Sequence, residues 1–229
     1  MKRLLVHVEG QMEETFVRQL LAPHLSVLGV GASARLLGNA RQRNRRGGIC
    51  NWPEAKADIV RHLRQDDDWV VGLMADYYAL PAFGNGAWPS RAAAANMPFQ
   101  NKASAVQNAI VHDISIAMGA NFNPARFVPC IVMHEFEALL FSDCATFANA
   151  IGHEYLASDF QAIRNQFQTP EWINDSPQTA PSKRIKALLP SYQKPLLGTI
   201  AAKAIGIQAI KFECTNFATW LGALEAMDS

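Results

Sequence analysis

Trp69-Val70-Val71-Gly72-Leu73-Met74-Ala75 is an apolar run without alternating polar positions, and it stops at Asp76. A strand with one wet face alternates apolar and polar residues, so an unbroken run of this length predicts a strand buried on both faces. Such strands belong to parallel sheets covered by helices, and the stretch therefore predicts an α/β fold. Its terminal acid also matters, because open parallel sheets bind ligands beyond the carboxyl ends of their strands.

Two further runs repeat the pattern. Arg3–Val8 ends at Glu9-Gly10, and Phe127–Met133 ends at His134-Glu135-Phe136-Glu137. A fourth strand is expected within Val27–Leu37. Helical spacing appears over Glu13–Leu25, where Phe16, Val17, Leu20 and Leu21 share a face. It recurs over Glu54–Arg64, opened by Pro53 in the first turn, with Ile59, Val60 and Leu63 inward. Further helices are expected over Lys102–Met118 and from Glu137 to Ile151, with Tyr77–Met97 as a long loop. Strand and helix thus alternate through residues 1–151, the mark of a mostly parallel sheet flanked by helices. Residues 152–229 carry helical pieces punctuated by Pro170, Pro177, Pro181, Pro190 and Pro195. They are expected to form a C-terminal helical cap on the same single domain.

Composition narrows the function classes. The 229 residues are 49% hydrophobic, enough for one substantial core, and the net charge of +1 means that any polyanion-binding surface must be a local patch. Cys50, Cys130, Cys144 and Cys214 are widely separated with no CxxC pair, which argues against a thiolate zinc site. No apolar run approaches about 18 residues. The start, Met1 to Gly10, meets charge and glycine too early for a signal sequence. The expectation is a soluble cytoplasmic protein with no membrane contact.

If the strands that end at Glu9, Asp76 and Glu135/Glu137 are neighbours, their acids converge on one edge of the sheet. Converging carboxylates repel, and they are stable only when protonated or when a cation lies between them. Oxygen ligands without cysteine select Mg²⁺ or Mn²⁺, held with open water positions, which suits phosphoryl chemistry. Taken singly, Glu9 or Asp76 reads as an ordinary turn or helix-capping acid; the convergence is what points to a metal. Glu135 and Glu137 face one side in strand geometry but lie about 200° apart on a helix. Glu137 is the preferred ligand, with Glu135 beside it. His134 is open between metal ligand, proton shuttle and hydrogen-bonded near-core histidine.

Phosphodiester chemistry also needs cations on the phosphate. Ser182-Lys183-Arg184 follows Pro181 at a predicted helix start, where free N–H groups favour anions. Lys194 is a second candidate. Arg43 and Arg45, within the arginine-rich stretch Arg41–Arg46, suit a nucleic-acid backbone, and Trp52, Tyr77, Tyr78 and Trp88 suit base stacking. A solvated face and ordinary packing are the competing readings for these basic and aromatic residues.

Several motifs run in order through the chain: Val8-Glu9-Gly10-Gln11-Met12-Glu13-Glu14, Asp76-Tyr77-Tyr78-Ala79-Leu80-Pro81, His134-Glu135-Phe136-Glu137-Ala138-Leu139-Leu140-Phe141, Pro170-Glu171-Trp172-Ile173-Asn174-Asp175 and Ala180-Pro181-Ser182-Lys183-Arg184-Ile185. Together they resemble a bacterial family of unknown function in the Toprim-like group that includes OLD-type and RloB-like proteins. The resemblance implies a Toprim-like fold and Mg²⁺-dependent cutting of nucleic-acid phosphodiesters. Glu9 would stand as the first-strand glutamate, Asp76 as the first acid of an Asp-x-Asp element, and Glu135 or Glu137 would complete the metal shell. Two departures stand out. Tyr78 occupies the place of the second aspartate, and Met12 precedes Glu13 where similar sequences commonly carry threonine.

The leading expectation is a Mg²⁺- or Mn²⁺-dependent nuclease acting on DNA or RNA, with Lys183, Arg184 or Lys194 on phosphate. The resemblance implies an anti-phage defence setting with a separate ABC-type ATPase, since this chain has no Gly-x-x-x-x-Gly-Lys-Ser/Thr loop. The alternative is a non-catalytic subunit that senses metal or nucleotide. A small-molecule phosphatase or nucleotidyl-transfer enzyme is a third reading, and a homodimer is left open.

Overall fold

The computed structural model describes residues 2–38, 51–173 and 178–228. Four strands form one sheet: β1 (Lys2–Val8), β2 (Val30–Leu36), β3 (Trp69–Asp76) and β4 (Phe127–Val132), in the order β2-β1-β3-β4, all parallel. The fold class is α/β, in an arrangement consistent with a Toprim-like fold. From β1 the chain moves out to β2, then returns to the other side of β1 to add β3 and β4. The crevice between β1 and β3 is therefore the topological switch point, where ligands bind in sheets of this kind.

The unbroken apolar run of β3 has the cause inferred from it. Val70 and Met74 enter one core layer, and Val71, Leu73 and Ala75 enter the other, so both faces are covered. On the first face lie α1 (Gln11–Phe16), a π-helical turn Val17–Leu21 and α2 (Ala22–Ser26). The same face carries the C-terminal helices α6 (Cys144–Ala150), α7 (Ala157–Arg164), α8 (Pro181–Leu188), α9 (Lys194–Glu213, broken at Gly206) and α10 (Thr215–Glu225). On the second face lie α3 (Trp52–Leu63) and α5 (Phe99–Met118). The C-terminal helices thus cap one face of the sheet.

β4 is an edge strand, yet its outer backbone is occupied by side chains. Asn216 Nδ2 donates to the Ile131 carbonyl at 2.8 Å and Trp220 Nε1 to the Val128 carbonyl at 3.1 Å, while Gln107 accepts from the Ile131 N–H at 3.0 Å. Covering an edge in this way prevents strand addition.

The described structure corrects several expectations. The helix expected from Glu137 to Ile151 is a 3₁₀ segment, Phe136–Ser142, followed by α6. Phe136 to Phe141 are all buried, so the segment has no polar face to set a helical period. Asp143 then accepts from the Thr146 N–H at 2.9 Å and starts α6 afresh. The Tyr77–Met97 loop contains a 3₁₀ turn, Tyr77–Ala79, and α4 (Arg91–Ala94). Its Trp88 is buried against Trp52, with ring centroids 5.0 Å apart, and Trp52 donates to Asp113 at 2.6 Å. Trp52, Trp88 and the fully buried Tyr77 are core residues and offer no surface for base stacking; Tyr78 is the exposed member of that set. β2 lies within the expected Val27–Leu37, after Gly29 turns the chain at a positive φ of 76° and leaves Val27 and Leu28 exposed. Cys130, Cys144 and Cys214 are buried free thiols, and no helix among the described residues is long and apolar enough to cross a membrane.

Candidate functional site

Strand register brings the acids together. Val8 lies opposite Met74, and Asp76 lies opposite Val132, so the carboxyl ends of β1, β3 and β4 are level. Glu9 leaves β1 and its Oε2 accepts from the Asp76 N–H at 3.2 Å. Glu13, in the first turn of α1, is 4% exposed and folds back over the same turn. Gly10 makes room for it, since a Cβ there would stand 2.9 Å from Glu13 Oε2.

Glu137 comes from the 3₁₀ segment after β4 and is completely buried. Lys194, the first residue of α9, reaches in from the opposite side. Its ammonium lies 2.8 Å from Glu137 Oε2 and 4.0 Å from Asp76 Oδ2. Among the described residues Asp76 Oδ1 and Glu137 Oε1 are buried without a hydrogen-bond partner. The buried Tyr192 hydroxyl, from the turn before α9, is in the same condition. Gly198 permits this packing: a Cβ there would fall 2.3 Å from Met12 Sδ and 2.8 Å from the Tyr192 hydroxyl oxygen. Met12 accordingly serves the contact between α1 and α9.

The electrostatics follow from burial and crowding. Glu9 is pushed up to about 7, by burial first and then by Glu13, against the opposing Asp76 N–H and Lys194. Burial, followed by the charge of Glu9, raises Asp76 well above the carboxylate range. Glu137 is also pushed up to about 7 by burial, although Lys194 pulls the other way. For Lys194, burial works against the charged form, but Glu137 and then Asp76 outweigh it and its pKa rises. Burial, then Glu137, raises Tyr192, which therefore stays a protonated donor. Each of the three strand-end acids is held in a place that penalises its charge, a pattern typical of working sites.

Other candidates have structural partners. Glu135 Oε2 accepts from the Ser182 N–H at 2.9 Å, so a carboxylate of the chain itself takes that N–H at the α8 N-terminus, where an incoming phosphate was expected. Arg184 donates to the Thr179 carbonyl at 2.9 Å and lies over the Phe167 ring at 5.3 Å. Lys183 is exposed. His134 is 2% exposed, with its Nδ1 3.0 Å from the Ile173 carbonyl and its ring against Tyr77 and Phe99. That geometry matches the hydrogen-bonded near-core histidine. Arg43 and Arg45 lie outside the described residues. Glu171, from the Pro170-Glu171-Trp172 motif, accepts from the Asn216 and Phe217 N–H groups at 2.9 and 3.0 Å and caps α10.

Sequence reasoning missed Tyr192, whose only signal was its place two residues before Lys194. Arg91 was also missed: it donates to the Tyr77 carbonyl at 3.0 Å and lies 3.8 Å from that ring centroid, beside the end of β3.

Three acids, a bridging ammonium and a tyrosine hydroxyl thus meet at the switch point. Asp76 Oδ1 and Glu137 Oε1, without partners among the described residues, are hard oxygen donors of the chemical type that Mg²⁺ or Mn²⁺ takes. As the side chains stand, no three His, Cys, Asp or Glu residues among those described are grouped closely enough to share an ion. Comparison with curated proteins and with solved structures finds no match. The family model described as Domain of unknown function (DUF4276) spans residues 8–225, which include the whole of this cluster, and the chain belongs to that family.

Proposed function

We propose that the chain is a divalent-metal-dependent phosphodiesterase acting on DNA or RNA, with its centre at Glu9, Asp76 and Glu137. The observation that carries the reading is the pair of buried, unpartnered carboxylate oxygens, Asp76 Oδ1 and Glu137 Oε1, at the switch point of a parallel sheet. The Toprim-like resemblance of the motifs around these residues supports nucleic acid as the substrate and Mg²⁺ or Mn²⁺ as the ion. A bound ion would polarise a phosphoryl oxygen and make its bound water more acidic.

The chain's own residues supply the rest. Glu9, Asp76 and Glu137 would hold the ion. Lys194 carries a permanent positive charge to the rim and offsets charge on the phosphate. The Tyr192 hydroxyl, buried and protonated, adds a polar group near Glu137 and Lys194. Glu135 holds α8 against the segment after β4 and so fixes the position of Glu137. A separate ATPase partner and an anti-phage role rest on the resemblance alone.

Purified protein is expected to nick plasmid or cleave RNA with Mn²⁺ or Mg²⁺, and Asp76→Asn should lower the rate at least about a hundredfold. Cleavage that survives both Asp76→Asn and EDTA would overturn the proposal. The second reading, a metal- or nucleotide-sensing subunit, draws support from the ammonium already seated on Glu137. Metal binding by calorimetry without turnover on any nucleic acid would favour it.

A further inference from the structure

The ammonium of Lys194 stands where the carboxylates converge. It touches Glu137 at 2.8 Å and approaches Asp76 at 4.0 Å, and so ties the segment after β4 to the end of β3. Oxygen ligands surround Mg²⁺ at about 2.0–2.1 Å. The ammonium lies on Glu137 Oε2 and faces Asp76 Oδ2, so a divalent ion that drew either of these oxygens to itself would need the space that the ammonium fills.

One positive charge is poor compensation for this cluster. Asp76 feels the charges of Glu9, Glu13 and Glu137, Glu9 feels that of Glu13, and the second oxygens of Asp76 and Glu137 find no donor among the described residues. The Tyr192 hydroxyl, also unpartnered, adds a polar group that is not an acid. The position of Lys194 on its helix, by contrast, works against its charge. As the first residue of α9 it faces the positive end of the helix dipole, which disfavours a cation. Its side chain is 39% exposed, so rotation about its flexible stem can return the ammonium to water without moving the backbone.

We infer that Lys194 is a tethered counter-ion that holds the acid cluster together until a divalent cation displaces it, leaving the freed ammonium at the rim to meet the substrate phosphate. This rests on the metal-centre reading above and adds a direction to it: lysine and metal compete for the same carboxylates.

The test is Mn²⁺ binding, followed by electron paramagnetic resonance of the free ion, in wild type, Lys194→Met and Lys194→Arg. Lys194→Met should bind Mn²⁺ about tenfold or more tightly than wild type, because a charge within 4 Å is removed. Lys194→Arg should bind no more tightly than wild type. Mn²⁺ binding that is equal or weaker in Lys194→Met, with wild type still binding, overturns the competition and leaves the metal centre intact. No binding by either protein removes the metal centre and this inference with it. A second measurement needs no variant: an amine-acetylating reagent, read by mass spectrometry, should modify Lys194 of wild type several-fold faster with Mn²⁺ than with chelator, while exposed Lys183 and Lys203 stay unchanged. Equal labelling of Lys194 with Mn²⁺ bound overturns the displacement.

Discussion

Glu137 and Glu171 are both buried glutamates on 3₁₀ segments, Phe136–Ser142 and Pro170–Trp172, yet their carboxylates are treated differently. Glu171 is satisfied locally. Its two oxygens take the Asn216 and Phe217 N–H groups at the start of α10, where the helix dipole also favours an anion. Glu137 has one ammonium on one oxygen, and its other oxygen has no hydrogen-bond partner among the described residues. Burial raises the pKa of both, but only Glu171 has backbone donors from a helix N-terminus to offset it. A buried acid is therefore no sign of function in itself. An unsatisfied acid beside two others at a switch point is, because the chain bears a cost that packing does not explain.

That contrast can be broken experimentally. The largest effect should be on cleavage: Glu137→Gln is expected to lose at least about a hundredfold in metal-dependent rate, while Glu171→Gln stays within a few-fold of wild type. Equal losses would mean that Glu137 matters only through the fold. Stability should show the reverse order. Glu171→Ala leaves two N–H groups of α10 uncapped and should cost about 3 kcal/mol in chemical denaturation, whereas Glu137→Gln in chelator should be neutral or stabilising.

The smallest effect is a slope with pH. The folded-state pKa of Glu137 is about 7, against 4.5 for the ordinary group, so the folded protein binds the proton more tightly than the unfolded chain. Its penalty is absent below pH 4.5, grows as pH rises to about 7, and is constant above that. Wild type in chelator should thus lose ground to Glu137→Gln by no more than about 1.4 kcal/mol per pH unit across that window. Saturating Mn²⁺ should reverse the trend. The difference between the two proteins is the proper readout, because His7 acts oppositely. That histidine is buried 3.1 Å from His62 and pushed down to about 3, by burial and then by His62, so it contributes stability above pH 6.5 that is lost as pH falls toward 3.

Much of the architecture was readable in the chain. The three largely apolar runs ending in Glu9, Asp76 and the His134–Glu137 segment are strands, because a strand buried on both faces reads as a near-continuous apolar run. The segment after β4 was misread as a helix for a related reason: when every face is buried, the sequence has no period to show. The sequence leaves the aromatics open between stacking and packing because Trp52, Tyr77 and Trp88 look alike whether they face solvent or a core, and here the second face of the sheet takes all three. Lys183 and Arg184 sat in the most suggestive basic motif, yet Glu135 occupies the Ser182 N–H at the head of their helix and Arg184 lies over Phe167.

The sequence by itself determined that acids would stand at the ends of buried parallel strands, since strand period and strand length are local properties of the chain. It could not determine which strands are neighbours, and so whether those acids meet. The strand order β2-β1-β3-β4 decided that, by placing β1 beside β3 and levelling Glu9 with the end of β3. Nor could it say that Lys194, far along the chain, would supply the ammonium between Asp76 and Glu137. Charge acts through space, and only the packing of α9 against α1 and the segment after β4 brings those groups within reach.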